Sequence, residues 1–187
     1  MSTLDVTTWA TILGTWLLVI GTLGFAYWQL RQAQRLHSST TLLDLRERFY
    51  SPRMRQARKD LSTWLLKEQR GEEPDDWEVG IFFELIGALT RSGVLEKRMV
   101  WNAFGTWINA YHLSMRGPED LFDKWRRESN DPLIFADFEW LAKQLLDFDR
   151  RLSQGPDQHR FSISEYRYVL ESESHLRVPS EGSTLDA

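Results

Sequence analysis

The stretch Asp131–Leu152, DPLIFADFEWLAKQLLDFDRRL, decides the fold class. Asp131-Pro132 pairs an N-cap residue with a first-turn proline, the entry signal of a helix. From there Ile134, Phe138, Leu141, Leu145, Phe148 and Leu152 recur at three- and four-residue spacing, one apolar stripe of a helix. No segment shows sustained strand alternation, so the expectation is an all-α protein.

Working outward, Val100, Phe104, Trp107 and Tyr111 line one face of a helix over about Leu95 to Met115, widened by Trp101 and Ile108. Arg116-Gly117-Pro118 ends it, and a shorter helix over about Glu119 to Glu128 follows. Upstream, Ser51-Pro52 starts a helix whose apolar stripe is Met54, Ala57, Leu61, Trp64 and Leu65, with arginines opposite. GEEPDDWE (Gly71–Glu78) is an acidic linker without the ligand spacing of a calcium loop, and its carboxylates suit the N-terminal dipole of the next helix. That helix, about Trp77 to Arg91, contains VGIFFELIGAL and is expected to be nearly surrounded by protein, with Ser92-Gly93 as its C-cap.

The other decisive stretch is Trp9–Trp28, WATILGTWLLVIGTLGFAYW, which holds no charged residue, Asn, Gln or Pro. Twenty helical residues at about 1.5 Å each span roughly 30 Å, a bilayer hydrocarbon core. Trp9 at one end and Tyr27 and Trp28 at the other suit the headgroup level, and the apolar run is too long for a cleaved signal peptide. Arg31 and Arg35 follow the span and no Lys or Arg precedes it, so the positive-inside rule puts the amino terminus outside and the remainder in the cytoplasm of a single-pass cell-membrane protein. Ala10, Gly14, Gly21 and Gly24 fall near one stripe that would let two helices associate, although glycine is common in membrane helices generally.

The expected organisation is a short tail (1–8), a transmembrane helix (9–28), a helical stalk (29–50), a cytoplasmic bundle of about five helices (51–153), and a linker, short helix and disordered tail (154–187). The stalk carries Ala33, Leu36, Thr40, Leu43, Glu47 and Tyr50 at helical spacing, with HSSTT (His37–Thr41) as a plausible hinge. In the last segment Ser162 and Glu165 have capping-box spacing and start a helix through SEYRYVLES.

The net charge of −4 is unevenly spread. Residues 31–60 carry +5 and residues 61–187 carry −8. A basic face over 46–59 with only Phe49 and Tyr50 interleaved suits anionic lipid headgroups, at roughly 1 kcal/mol per basic residue near the surface, better than nucleic acid. There is no cysteine, which excludes disulfides, thiolate metal sites and cysteine nucleophiles.

No catalytic, cofactor-binding or metal constellation assembles from the remaining residues. His37, His112, His159 and His175 lack zinc-site spacing, and no glycine loop cradles phosphate. Glu171, Glu173 and His175 could grip a metal loosely, but in a tail they read as solvated. Glu84 and Glu139 each interrupt an apolar helix face, and each reads as a partner for an arginine such as Arg91 or Arg98 rather than as a functional pair.

The run Val100-Trp101-Asn102-Ala103-Phe104-Gly105-Thr106-Trp107-Ile108 with Tyr111, then Asp131-Pro132 and Phe135 to Leu141 with Phe138 and Glu139, resembles a family of short bacterial proteins. That family is catalogued as a domain of unknown function, with one amino-terminal membrane helix and a cytoplasmic helical domain. The resemblance covers about Trp9 to Phe148 and implies a bacterial cytoplasmic-membrane protein, with no catalytic residues to carry over.

The resulting expectation is a membrane-anchored, non-enzymatic helical module, scaffold or sensor, that needs no cofactor and binds a protein partner or itself. Two alternatives stay open: an accessory subunit of a membrane-associated stress or phage-defence system, and an enzyme built on buried carboxylates.

Overall fold

The computed structural model describes residues 22, 25, 29, 38–67, 73–74, 77–117, 120–152 and 163–177. The chain forms two compact units, residues 1–40 and 41–187. In the first, Thr22, Phe25, Gln29 and residues 38–40 are helical. The expected membrane span Trp9–Trp28, apart from Thr22 and Phe25, lies outside the described residues, as do Arg31, Arg35, Ala10, Gly14, Gly21 and Gly24. Among the described residues no helix is long and apolar enough to cross a membrane.

Among its described residues the second unit is all helix: α1 (residues 41–49), α2 (Pro52–Leu66), α3 (Glu78–Arg91), α4 (Lys97–Met115), α5 (Leu121–Ser129), α6 (Ala136–Leu152) and α7 (Ile163–Ser174). Helix α4 packs against α3, α6 and α7, while α2 closes the ring by touching both α3 and α7. The core is aromatic, and Phe49 sits within it. Its ring lies 5.4 Å from Phe82, 5.4 Å from Phe104 and 5.3 Å from Trp107. A second cluster ties α5 in through Phe122, which meets Phe138 at 5.5 Å, and Trp125, which meets Trp77 at 4.4 Å.

Local signals explain several helix ends. Ser51 Oγ accepts the Met54 N–H at 3.3 Å with Pro52 opening α2. Gly93, at φ +79°, takes the left-handed position beyond the end of α3. Asp120 caps α5 by accepting from the Phe122 N–H at 3.1 Å, and Asn130 closes it in the left-handed region.

Four expectations need correction. Residues 41–49 are not a free polar stalk, because Leu45 and Phe49 are buried in the bundle. The buried pair is Leu45 and Phe49, whereas Leu43 and Tyr50 of the expected stripe are exposed. Helix α2 does bury Met54, Ala57, Leu61, Trp64 and Leu65, but Arg58 is buried with them instead of lying on the basic face. Helix α3 is not surrounded, since Ile81 is 55% exposed and Leu85 38% exposed. These two sit one turn apart, on the side away from Phe82, Phe83 and Ile86.

Asp131-Pro132 does not open α6. Asp131 Oδ1 accepts the Leu133 N–H at 2.8 Å, closing a separate turn over 132–135. Phe135 then adopts φ +58°, a conformation bulky side chains avoid, and the helix begins only at Ala136. Burial pays the strain: the Phe135 ring packs 5.2 Å from Trp125 and 5.9 Å from Trp77. Gly80 leaves room for it, since a β-carbon there would meet the ring at 2.8 Å.

Candidate functional site

The carboxylates flanking the α3–α6 contact are fully employed. Glu84 accepts the N–H of Phe138 at 2.7 Å and of Asp137 at 3.3 Å, so a side chain of α3 caps the N-terminus of α6. This supplies the acceptors that a local N-cap would otherwise provide. Gly87, one turn further along α3, makes the approach feasible, because a β-carbon there would lie 2.3 Å from the Asp137 carbonyl oxygen. Burial raises the Glu84 pKa, and the two backbone N–H groups pull it back.

Glu139 is held between two arginines. Its Oε1 accepts from Arg116 Nη2 and its Oε2 from Arg126 Nη2 at 2.5 Å. Each acid therefore has structural partners, but not those expected. Arg91 goes to Asp137 at 2.8 Å. Of the acidic linker, Glu73 binds the Trp125 indole N–H at 2.7 Å and the Lys124 ammonium at 2.5 Å, and Glu78 pairs with Arg53 at 2.8 Å.

The carboxy-terminal helix is likewise built in. Glu173 is buried, 2.8 Å from Arg58 Nη1, and accepts the Trp107 indole N–H at 2.9 Å. Arg58 lies over the Phe49 ring at 3.9 Å. Burial raises the Glu173 pKa, with Arg58 and Trp107 opposing. Glu171 turns away to Arg167 at 3.4 Å, so Glu171, Glu173 and His175 do not converge. Among the described residues no group of His, Asp or Glu could hold a metal ion.

The aromatic run on α4 divides between two surroundings. Phe104, Tyr111 and, on α6, Phe138 are core residues. The Tyr111 hydroxyl donates to the Arg58 carbonyl at 3.2 Å and shares a 2.8 Å bond with Ser62 Oγ. Its own pKa is pushed up, chiefly by burial. Trp107 is half-buried against Phe49 and Glu173, while Asp131 and Pro132 are exposed. Trp101 and Gly105 face elsewhere, into a cleft of about 220 Å³ lined by Trp101, Asn102, Gly105, Thr106, Asn109 and Asp149.

This cleft, whose described lining sets an indole ring beside four polar side chains, was not legible as a site. The Trp101 indole N–H donates to Asp149 Oδ1 at 2.9 Å, fixing the ring along the wall. Gly105 lets that ring lie close, because a β-carbon would meet Trp101 Cδ1 at 3.1 Å. Asn109 is 1% exposed, and among the described residues its Oδ1 has no hydrogen-bond partner. A side-chain hydrogen bond to Tyr166 holds the same amide from α7. The available signal was a glycine in the middle of a helix, where it costs about 1 kcal/mol relative to alanine, followed one turn later by asparagine.

His112 is another buried polar group outside any ion pair. It is 4% exposed, neither ring nitrogen has a partner among the described residues, and it packs 5.6 Å from Phe122 and 6.1 Å from Phe138. Burial first, then Arg116 and Lys143, lower its pKa to about 4 against the pull of Asp120.

No curated protein and no solved structure matches the chain. A family model does, over residues 16–145, which takes in α1 to α5, most of α6 and the motif-bearing face of α4. The chain therefore belongs to the DUF4760 family, a domain of unknown function.

Proposed function

We propose that the protein is a membrane-anchored helical interaction module that works by binding a protein partner or a second copy of itself, and not by catalysis. The observation that carries this reading is the state of its embedded acids. Glu84 is spent on the α6 N-terminus, and Glu139 on Arg116 and Arg126. A catalytic carboxylate pair would face a common solvent-filled space, with environments that set the two acids apart. Here each carboxylate oxygen already holds a donor from the fold.

The anchor rests on Trp9–Trp28, whose length and composition match a single membrane crossing. The excess of positive charge in residues 31–60 supports contact with anionic headgroups on the cytoplasmic side. Arg46 and Arg48 remain exposed for that contact, whereas Arg58 is consumed internally. An accessory role in a membrane-associated stress or defence system is compatible with the same module.

Alkaline extraction of membranes that contain the full chain tests the anchor. Retention in the pellet is expected, and complete release would remove the membrane half of the proposal. Sizing of the detergent-solubilised protein, together with capture from native membranes, tests the interaction half.

A further inference from the structure

We infer that the bundle docks onto an anionic lipid surface through the solvent side of α3, with Ile81 and Leu85 entering the headgroup layer and Arg48, Arg53 and Arg91 meeting lipid phosphates around them. This deepens the anchored-module reading and rests on its membrane anchor. The first observation is an apolar row. Residues 79–90 of α3 hold a single charge, Glu84, and that side chain is turned to the start of α6. The side left to solvent therefore presents Ile81 and Leu85, both exposed, with the half-buried Ala88 one turn further on. Four- and three-residue spacing puts these side chains in one row, where a helix facing water ordinarily carries polar groups.

The second observation is the charge that borders the row. On the edge nearer α2, Arg53 Nε reaches Glu78 Oε2 at 2.8 Å, and Glu78 lies one turn before Ile81 on the same side of α3. The Arg53 side chain is still 79% exposed. Arg48 is exposed too, its guanidinium 5.9 Å from the ring of Phe82, the residue next to Ile81. On the α6 edge Arg91 binds Asp137 at 2.8 Å and lies 5.7 Å from the half-buried Trp140 ring. Glu78 and Asp137 are thus each matched by an arginine, and Arg48 is in excess. The segment 31–60, which supplies Arg48 and Arg53, carries +5 with its own acids counted.

Apolar side chains ringed by arginines suit the boundary between anionic headgroups and acyl chains. A second copy would bring the same positive excess to the contact, which disfavours it. Two apolar side chains and a few charges hold a free protein only weakly on a bilayer, because stable attachment takes two signals. The anchor is the other signal. Twelve residues separate Trp28 from Thr41. Even fully extended they reach about 40 Å, so the bundle meets the surface at high effective concentration.

The test is spin labelling of the full chain in lipid nanodiscs, which the cysteine-free sequence permits. Nitroxides on Ile81→Cys and Leu85→Cys are compared with one on Tyr168→Cys of α7, where the native side chain is 71% exposed. Relaxation by oxygen reports the acyl region, and relaxation by a water-soluble nickel chelate reports solvent. In discs containing phosphatidylglycerol, the labels on α3 should respond to oxygen and the label on α7 to nickel. Discs of phosphatidylcholine alone should return the α3 labels to nickel. Arg48→Gln with Arg53→Gln, in the anionic discs, should lower the docked-to-free ratio by about tenfold or more, at roughly fivefold per basic residue. Nickel-accessible α3 labels in the anionic discs, or labels indifferent to both lipid charge and the arginines, would overturn the docking. So would α3 labels shielded from both reagents in either lipid, the mark of a second copy or a partner protein. Retention in the disc fraction scores the anchor separately. A chain held in the discs with Ile81 in water contradicts the docking alone, whereas absence of the chain from the discs removes both.

Discussion

Arg58 Nη1 of α2 lies 2.8 Å from the Glu173 carboxylate of α7, with the two side chains only 2% and 6% exposed. The pair joins α7 to α2, with Phe49 of α1 under the guanidinium and Trp107 of α4 on the carboxylate. A buried ion pair contributes little net stability over an apolar pair of the same volume, but breaking it leaves an uncompensated charge.

Glu173→Gln should therefore destabilise the bundle by about 3 kcal/mol, and Arg58→Met combined with Glu173→Leu should recover most of that loss. Denaturant unfolding of the solubilised chain measures both. If Glu173→Gln cost no more than a surface substitution, α7 would not be docked as described.

The cap donated by Glu84 makes a local prediction. Glu84→Ala should cost about 1–2 kcal/mol, as loss of an N-cap does. Faster amide exchange should appear at Asp137 and Phe138, the two N–H groups it binds. Exchange that rose equally along all of α6 would point to general unfolding instead.

Gly87 governs how close α6 comes to α3. Gly87→Ala places a methyl 2.3 Å from the Asp137 carbonyl oxygen, which is backbone and cannot rotate away. The expected cost is about 2–3 kcal/mol despite the better helix propensity of alanine. Alanine at Gly93, by contrast, meets no neighbour and is strained only by its positive φ.

His112 makes stability depend on pH. In the folded chain its pKa is about 4, against an ordinary 6.5. The unfolded chain thus takes up the proton first as pH falls. The stability that neutral His112 contributes is complete above about pH 6.5 and is lost progressively towards pH 4, in total about 3 kcal/mol. His112→Phe, which keeps a ring among Phe122 and Phe138, should fold and flatten this part of the profile. Subtracting the two profiles cancels the acids, including Glu84 and Glu173, whose raised pKa values act with the opposite sign. A wild-type profile matching that of His112→Phe would contradict the buried, neutral imidazole.

The helices were legible because the apolar residues of α2, α4 and α6 repeat at helical spacing and Ser51 carries its own capping signal. The start of α6 was not, because its cap comes from Glu84, far away in sequence, and Phe135 breaks the helix without a glycine. Arg58 looked like one more member of a basic cluster, since sequence spacing cannot reveal an ion partner that arrives from α7. The cleft was hidden within an aromatic run: Trp101 and Gly105 shared their motif with core residues, and the rotation of α4 that separates them follows from the packing of α6 and α7.

The most direct test of the interaction-module reading is cross-linking of the full chain in native membranes, followed by mass determination of the solubilised product. A discrete homo-oligomer, or a reproducible complex of fixed stoichiometry with one partner, is the result expected. Recovery of the chain as an uncross-linked monomer, with no specific partner at any cross-linker concentration, would contradict it.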